Sequence, residues 1–519
     1  LTGSGTPAAT TPWTSSNTSV ATVSATGVVT AVNPGTTTIT YTNNAGCSAT
    51  TTITVNALPT ITGPTTVCDG ATITLTGSGT PAATTPWSSS NTTVATVNNA
   101  GVVTALNAGT TTITYTNNNG CSATRTITVT ALPAITGPAA VCDGATITLT
   151  GSGTPAATTP WTSSNTTVAT VNNAGVVTAL NPGTTTITYT NNSGCSVTTI
   201  ITVNALPTIT GPTAVCDNGT ITLTGSGTPA ATTPWTSSNT AVATVNNSGV
   251  VTGVTPGTAI ITYTNSNGCS NTVTITVNAL PTITGGLTVC VNASTTLTGS
   301  GTPAAVNPWT SSNTAVATVN NAGVVTGVAA GTATITYTNN NGCDAAVTIT
   351  VNPLPAITGT LTVCKGATTT LTGSGTPAAV SPWTSSNTAV ATVNNAGVVT
   401  GINPGTSVIT YTNSNGCSNI ATITVTAQPS ITGTLSVCDG ATTTLTGSGT
   451  PAAVNPWTSS NNAIATVSNA GVVTGVNPGT VLITYTNNNG CSASVTVSVA
   501  ALPGISGTFT ICSGATTTL

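Results

Sequence analysis

Charge is what this sequence most lacks: two basic and five acidic residues in 519, about 1% of the chain, and no histidine. The bases are Arg125 and Lys365; the acids are all aspartate, so glutamate is absent as well. A chain this close to neutral has no basic footprint for nucleic acid and no polybasic patch for an anionic membrane surface. Without His or Glu there is no Ser-His-Asp or Cys-His set, and one aspartate per repeat leaves no carboxylate pair for glycoside hydrolysis. The chain therefore reads as a non-enzyme without a cofactor. No apolar run approaches the roughly 18 residues of a membrane-spanning helix, so no membrane span lies in this stretch. Cys-x-x-Cys spacing does not occur either, which removes the common zinc frameworks. Solubility falls to Thr, Ser, Asn and Gly.

What is present is strictly periodic. Tryptophan stands at Trp13, Trp87, Trp161, Trp235, Trp309, Trp383 and Trp457, and tyrosine at Tyr41, Tyr115, Tyr189, Tyr263, Tyr337, Tyr411 and Tyr485. Each step is 74 residues (87 − 13), and these are all seven Trp and all seven Tyr of the chain. A period longer than that of most solenoids predicts a string of small domains, each with its own core. The expected units are a partial repeat over 1–56, whole repeats over 57–130, 131–204, 205–278, 279–352, 353–426 and 427–500, and the start of another over 501–519. Leu1 and Leu519 share one place in the period, and methionine is absent, so the stretch reads as a window on a longer protein.

Residues 57–130 predict the pattern of one unit. A strand over 60–68 ends in Val67-Cys68, and Asp69-Gly70 supplies a tight turn. Residues 71–79 alternate apolar and Thr, a period of two that marks a second strand. After a loop over 80–86, Trp87 opens a third strand. Residues 94–97 and 102–106 flank Asn98-Asn99-Ala100-Gly101 as a hairpin. Asn107-Ala108-Gly109 reads as a turn, and its sister Asn33-Pro34-Gly35 places Pro and Gly as a type II turn needs them. Strands over 110–116 and 121–130 follow, separated by the turn 117–120. Seven short strands without helical periodicity predict an all-β, two-sheet sandwich. Its expected core is Leu75, Trp87, Val97, Val103, Ile113, Tyr115, Ile127 and Val129, with the other Trp and Tyr in equivalent places.

Three segments recur in every unit: W-[ST]-S-S-N-x-x-[VI]-A-T-V, then G-V-V-T-[AG]-[VLI]-x-x-G-T, then I-T-Y-T. They resemble the bacterial immunoglobulin-like group 2 domain, a family of small sandwiches strung along surface adhesins. The resemblance implies immunoglobulin-like, seven-stranded units in a tandem array, forming an extended rod or filament outside a bacterial cell. The Thr-rich style, with V-C-x-G early and N-G-C late, is similar to giant repeat adhesins of gliding Bacteroidota of the SprB kind, which leave the cell by the type IX route.

Cysteine occurs twice per repeat, with spacings that alternate between 21 and 53 residues. The residues expected in disulfides are Cys68, Cys121, Cys142, Cys195, Cys216, Cys269, Cys290, Cys343, Cys364, Cys417, Cys438 and Cys491. Such a set points to an oxidising, extracellular compartment. In immunoglobulin-like topology the first strand runs down and the last strand starts at the top, which separates Cys68 from Cys121 by the length of one sandwich. The bottom of one domain meets the top of the next. That favours Cys68–Cys195, Cys142–Cys269, Cys216–Cys343, Cys290–Cys417 and Cys364–Cys491. The rival, Cys68–Cys121 within one domain, holds if the first strand is displaced or the topology differs, and bonds between chains are a third alternative.

The position of Asp69 is filled along the chain by Asp143, Asp217, Val291, Lys365, Asp439 and Ser513. No metal or catalytic site accepts Val and Lys in that way, so a turn is the reading. Two functions remain. One is a structural stalk of a secreted surface adhesin, acting by reach and stiffness. The other is an array of weak sites for a glycan or a host surface, carried by the loops 80–86 and 117–120. The expected partners are the neighbouring repeats and, through lateral bundling, other copies of the chain.

Overall fold

Alternating Thr and Val or Ile make short, stiff, extended segments because β-branched side chains suit a pleated surface. The computed structural model describes residues 1–507, 510–516 and 518, and its regular elements are all β-strands. It divides into two compact units, 1–277 and 278–519. Each is built from copies of one sandwich.

In the repeat 57–130 the strands are β1 (Ile61–Thr62), β2 (Thr66–Cys68), β3 (Thr72–Thr74), β4 (Thr76–Gly77), β5 (Trp87–Ser89), β6 (Ala95–Val97), β7 (Val102–Ala105), β8 (Gly109–Thr116) and β9 (Ser122–Thr130). One sheet has the order β5-β8-β9-β2. All its pairs are antiparallel except β9 with β2, which run parallel with Val129 opposite Val67. The facing layer holds β6-β7-β3 and the small pair β1-β4. The strand expected over 60–68 is thus two strands, and the chain changes sheets between Thr62 and Thr66. The strand expected over 71–79 is interrupted at Leu75, whose N–H turns to the carbonyl of Gly101 (2.8 Å). In the repeats 279–352 and 427–500 the same strand is continuous, Ser294–Gly299 and Thr442–Gly447, and completes a four-stranded sheet.

The core lies between the layers. Leu75, Trp87, Val103, Ile113, Tyr115, Ile127 and Val129 are buried, joined by Ile61, Val67, Val94, Ala95 and Ala105. Val97, expected among them, is only partly buried and packs on the cluster from its edge. Gly109 is the first residue of β8 with φ +152°, not the centre of a type II turn, and a Cβ there would stand 3.2 Å from Val94.

The first repeat is thinner. Its larger sheet has three strands, Trp13–Ser15, Gly35–Thr42 and Ser48–Val55, and residues 1–12 form none. Trp13, expected in the core, is accordingly partly exposed. Of the repeat start expected over 501–519, residues 508, 509, 517 and 519 lie outside the described residues; the others form no strand.

Candidate functional site

Each repeat is centred on one aromatic pair. Trp87 faces Tyr115 across β5 and β8, with ring centroids 4.6 Å apart and planes tilted by 44°. The tyrosine hydroxyl donates to the carbonyl of Gly79 at 3.3 Å. Gly77 lies flat on the ring: a Cβ there would come within 2.4 Å of it. The indole is 7% exposed, so no face is left for stacking a sugar. The six sister pairs have centroid separations of 4.5 to 4.7 Å.

Chemistry-bearing side chains do not gather elsewhere. No group of three or more His, Cys, Asp or Glu occurs among the described residues. The Asp69 position works through its backbone: the N–H of Asp69 donates to the carbonyl of Thr130, at the end of β9, at 2.9 Å. Val291 and Lys365 make the same bond to Asn352 and Thr426, which is why the side chain is free to vary.

The ends of the repeats are where unusual residues meet. At the lower end of the repeat 57–130, Cys68 closes β2 opposite Thr130. At the upper end of the next repeat, Asn191 shapes a turn. Its N–H donates to Cys195 O (3.0 Å), and its Oδ1 accepts from the N–H groups of Ser193 (3.1 Å) and Cys195 (2.9 Å). That turn presents Cys195, 1% exposed, to the repeat above. Cys68 and Cys195 form a disulfide with Cα atoms 5.6 Å apart, inside the roughly 7 Å reach of the bond. Cys142–Cys269, Cys290–Cys417 and Cys364–Cys491 have the same arrangement and the same separation of 127 residues. Cys216 and Cys343 are also disulfide-bonded. Each of the four bonds Cys68–Cys195, Cys142–Cys269, Cys290–Cys417 and Cys364–Cys491 therefore ties one repeat to its neighbour instead of crossing a single sandwich.

Cys121 and Cys438, expected in disulfides, carry free thiols, as do Cys47 and Cys512. The register explains it: a step of 127 residues from any of the four, in the direction its place in the repeat requires, falls outside residues 1–519.

The short linkers are tied down too. Pro59, Pro133, Pro207, Pro281, Pro355 and Pro429 are all buried. Asn271 and Asn419, on last strands, donate to the carbonyls of Pro207 and Pro355 at 2.8 Å. In the repeat 57–130 Arg125 does similar work, its guanidinium donating to Ile61 O (3.0 Å) and Gly63 O (2.6 Å). The sequence reading missed these anchors and the turn asparagine. The signal for the latter was available, since Asn43, Asn117, Asn191, Asn265, Asn339, Asn413 and Asn487 all stand four residues before a cysteine.

Small clefts recur beside the aromatic pair. One of about 280 Å³ is lined by Thr148, Gly151, Pro155, Trp161, Asn173 and Tyr189, and clefts of about 230 and 240 Å³ occupy the same place near Trp235 and Trp457. The loop over 154–160 borders the first, and its Thr159 takes a φ of +45° just before Pro160.

Comparison with known proteins gives one family. The pattern of the bacterial Ig-like domain (group 2) is matched seven times, over residues 1–55, 59–132, 133–202, 208–277, 273–351, 355–425 and 419–497. No curated protein matches the chain. Among solved structures, the N-terminal eight Ig domains of Down Syndrome Cell Adhesion Molecule are similar at 11% identity, covering 95% of this chain and 82% of that one, with a TM-score of 0.20. The S-layer protein rSbsC is 17% identical over 71% of this chain and 67% of its own, TM-score 0.15. Intimin of EHEC O157:H7, in a mutant form, is 27% identical over 14% of this chain and 40% of its own, TM-score 0.12.

Proposed function

We propose, for a chain that belongs to the bacterial Ig-like domain (group 2) family, that it is the stalk of a long, secreted bacterial surface adhesin. It serves by reach and stiffness, not by chemistry. The observation that carries this is the set of disulfides joining successive repeats. A string whose units only had to fold would place its bonds inside each unit. These bonds instead restrict the angle between neighbours, together with linkers whose prolines are buried. Disulfides of this number also support an oxidising, extracellular setting. The finer assignment, to adhesins of the SprB kind that serve attachment or gliding and leave by the type IX route, is supported by the repeat style alone.

Electron microscopy of the oxidised chain tests the stalk. Seven sandwiches of about 35 Å each should give particles near 250 Å long with a narrow spread of end-to-end distance. A broad, necklace-like distribution would sink the reading.

The clefts beside Trp161, Trp235 and Trp457 favour a second reading, an array of weak sites for a small neutral ligand such as a glycan, strengthened by avidity. Its test is a glycan array probed with the whole chain. Retention that survives washing, and is lost on Asn173→Ala with its sisters Asn247→Ala and Asn469→Ala, would put binding ahead of reach.

A further inference from the structure

The disulfides also decide where a pull on the chain would travel. Follow the backbone through the repeats 57–130 and 131–204. It enters along 57–68 and reaches Cys68. Two covalent routes then lead to Cys195: the S–S bond itself, or the 126 residues 69–194. The long route contains β3 to β9 of the first repeat and everything before the last strand of the second. The short route leaves Cys195 directly into that last strand, Ser196–Asn204.

We propose that these bonds shunt tension past the folded cores. Between residues 57 and 204 the peptide route is 147 steps long (204 − 57). The route through the disulfide is 20 steps, 11 before Cys68 and 9 after Cys195, plus one bond between Cα atoms 5.6 Å apart. At about 3.5 Å per fully extended residue the first could stretch to roughly 510 Å and the second to roughly 75 Å. The short route is already made largely of extended strand, β1 and β2 on one side and nine residues of strand on the other, so it holds little slack. Force applied along the chain runs through first strands, staples and last strands. The Trp–Tyr cores sit in closed loops beside that line.

The same geometry recurs for Cys142–Cys269, Cys290–Cys417 and Cys364–Cys491. The bonds also overlap. Cys142 lies inside the loop closed by Cys68–Cys195, and Cys195 inside the loop closed by Cys142–Cys269. Breaking the first bond therefore leaves 143–268 still bypassed. Cys290–Cys417 and Cys364–Cys491 overlap in the same way. This inference rests on the connectivity and not on the stalk reading: a chain that attached to nothing would still behave so.

Single-molecule pulling decides it. Handles are placed at Ala57 and Asn204 of the full chain through a non-natural amino acid, and each molecule is stretched before and after addition of dithiothreitol. The reagent gives two electrons and two protons per bond, leaving two thiols and its own cyclic disulfide. The oxidised chain should show no repeat-sized step between these handles. The reduced chain should show two, each of roughly 220 Å for a 74-residue repeat less its folded length, a gain in maximum extension of about sevenfold. Cys68→Ser combined with Cys195→Ser should show the same two steps without reductant, and those steps report that both repeats are folded in the variant. Repeat-sized steps in the oxidised chain, or reactive thiols at Cys68 and Cys195 in the folded protein, would overturn the proposal.

Discussion

Gly77 and Tyr115 show how tightly a single residue is specified in these repeats. The glycine is not in a left-handed conformation; its constraint is the tyrosine ring lying where a Cβ would go, 2.4 Å away. Gly77→Ala should therefore push the ring off Trp87 and cost the repeat about 2–3 kcal/mol by overpacking. Gly79→Ala is a control with the opposite problem, φ +82° and open space around it, and should cost about 1–2 kcal/mol from backbone strain alone. Hydrogen exchange of the repeat 57–130 within the whole chain reads both. The aromatic pair was legible in the sequence because large rings recurring at a fixed period must each be buried somewhere, and one core per period is the simplest place. The buried Ala95 and Ala105, both 0% exposed, were not: a small residue looks the same in a loop and at a close approach of two sheets. Val97 misled for the converse reason. It is apolar and in phase, yet at the end of β6 it is only partly buried, packed against the core cluster instead of within it.

At the scale of elements, the turns are set by backbone geometry and by Asn, while charge hardly enters. The N–H of Asp69 makes the bond to Thr130 and its carboxylate makes none that matters to the fold, as Val291 and Lys365 show. Asp69→Lys should leave the denaturation midpoint within about 0.5 kcal/mol of the parent. Asn191→Ala should behave very differently. It removes the acceptor for two N–H groups, that of exposed Ser193 and that of buried Cys195, at a cost of about 1–3 kcal/mol. The Cys68–Cys195 bond should then re-form more slowly after reduction, as followed by trapping thiols at intervals. The places of the strands along the chain could be read from the alternation of Thr with Val and Ile, although two of the seven expected strands are each divided in the repeat 57–130. The crossing of the first strand between sheets could not, because Gly63-Pro64-Thr65 reads only as a break, and alternation does not say which sheet accepts the residues beyond it.

Across the whole molecule, near-neutrality and cross-linking make separate predictions. With seven charged side chains in 519 residues there is little for salt to screen, so the melting temperature should move by less than about 2 °C between 20 and 300 mM sodium chloride. Reduction should matter far more. Each bond closes a loop set by a separation of 127 residues, which in the chain-entropy description contributes about 5 kcal/mol by restricting the unfolded state. Denaturant titration of oxidised and reduced chains would show a fall of that order per bond for the repeats it joins. The tandem Ig-like architecture was legible because its three sequence segments recur whole, and the family comparison matches seven successive stretches of the chain. Cys121 and Cys438 have no partner at the 127-residue step within residues 1–519 and are free there.

The overlapping staples also change what a cut would do. A protease that severs any one peptide bond between Asp69 and Gly194 opens the ring closed by Cys68–Cys195, but the two pieces stay joined through that bond. The damaged molecule remains in one piece until a second agent, a reductant, arrives. Backbone cleavage and separation of the pieces therefore become two independent events.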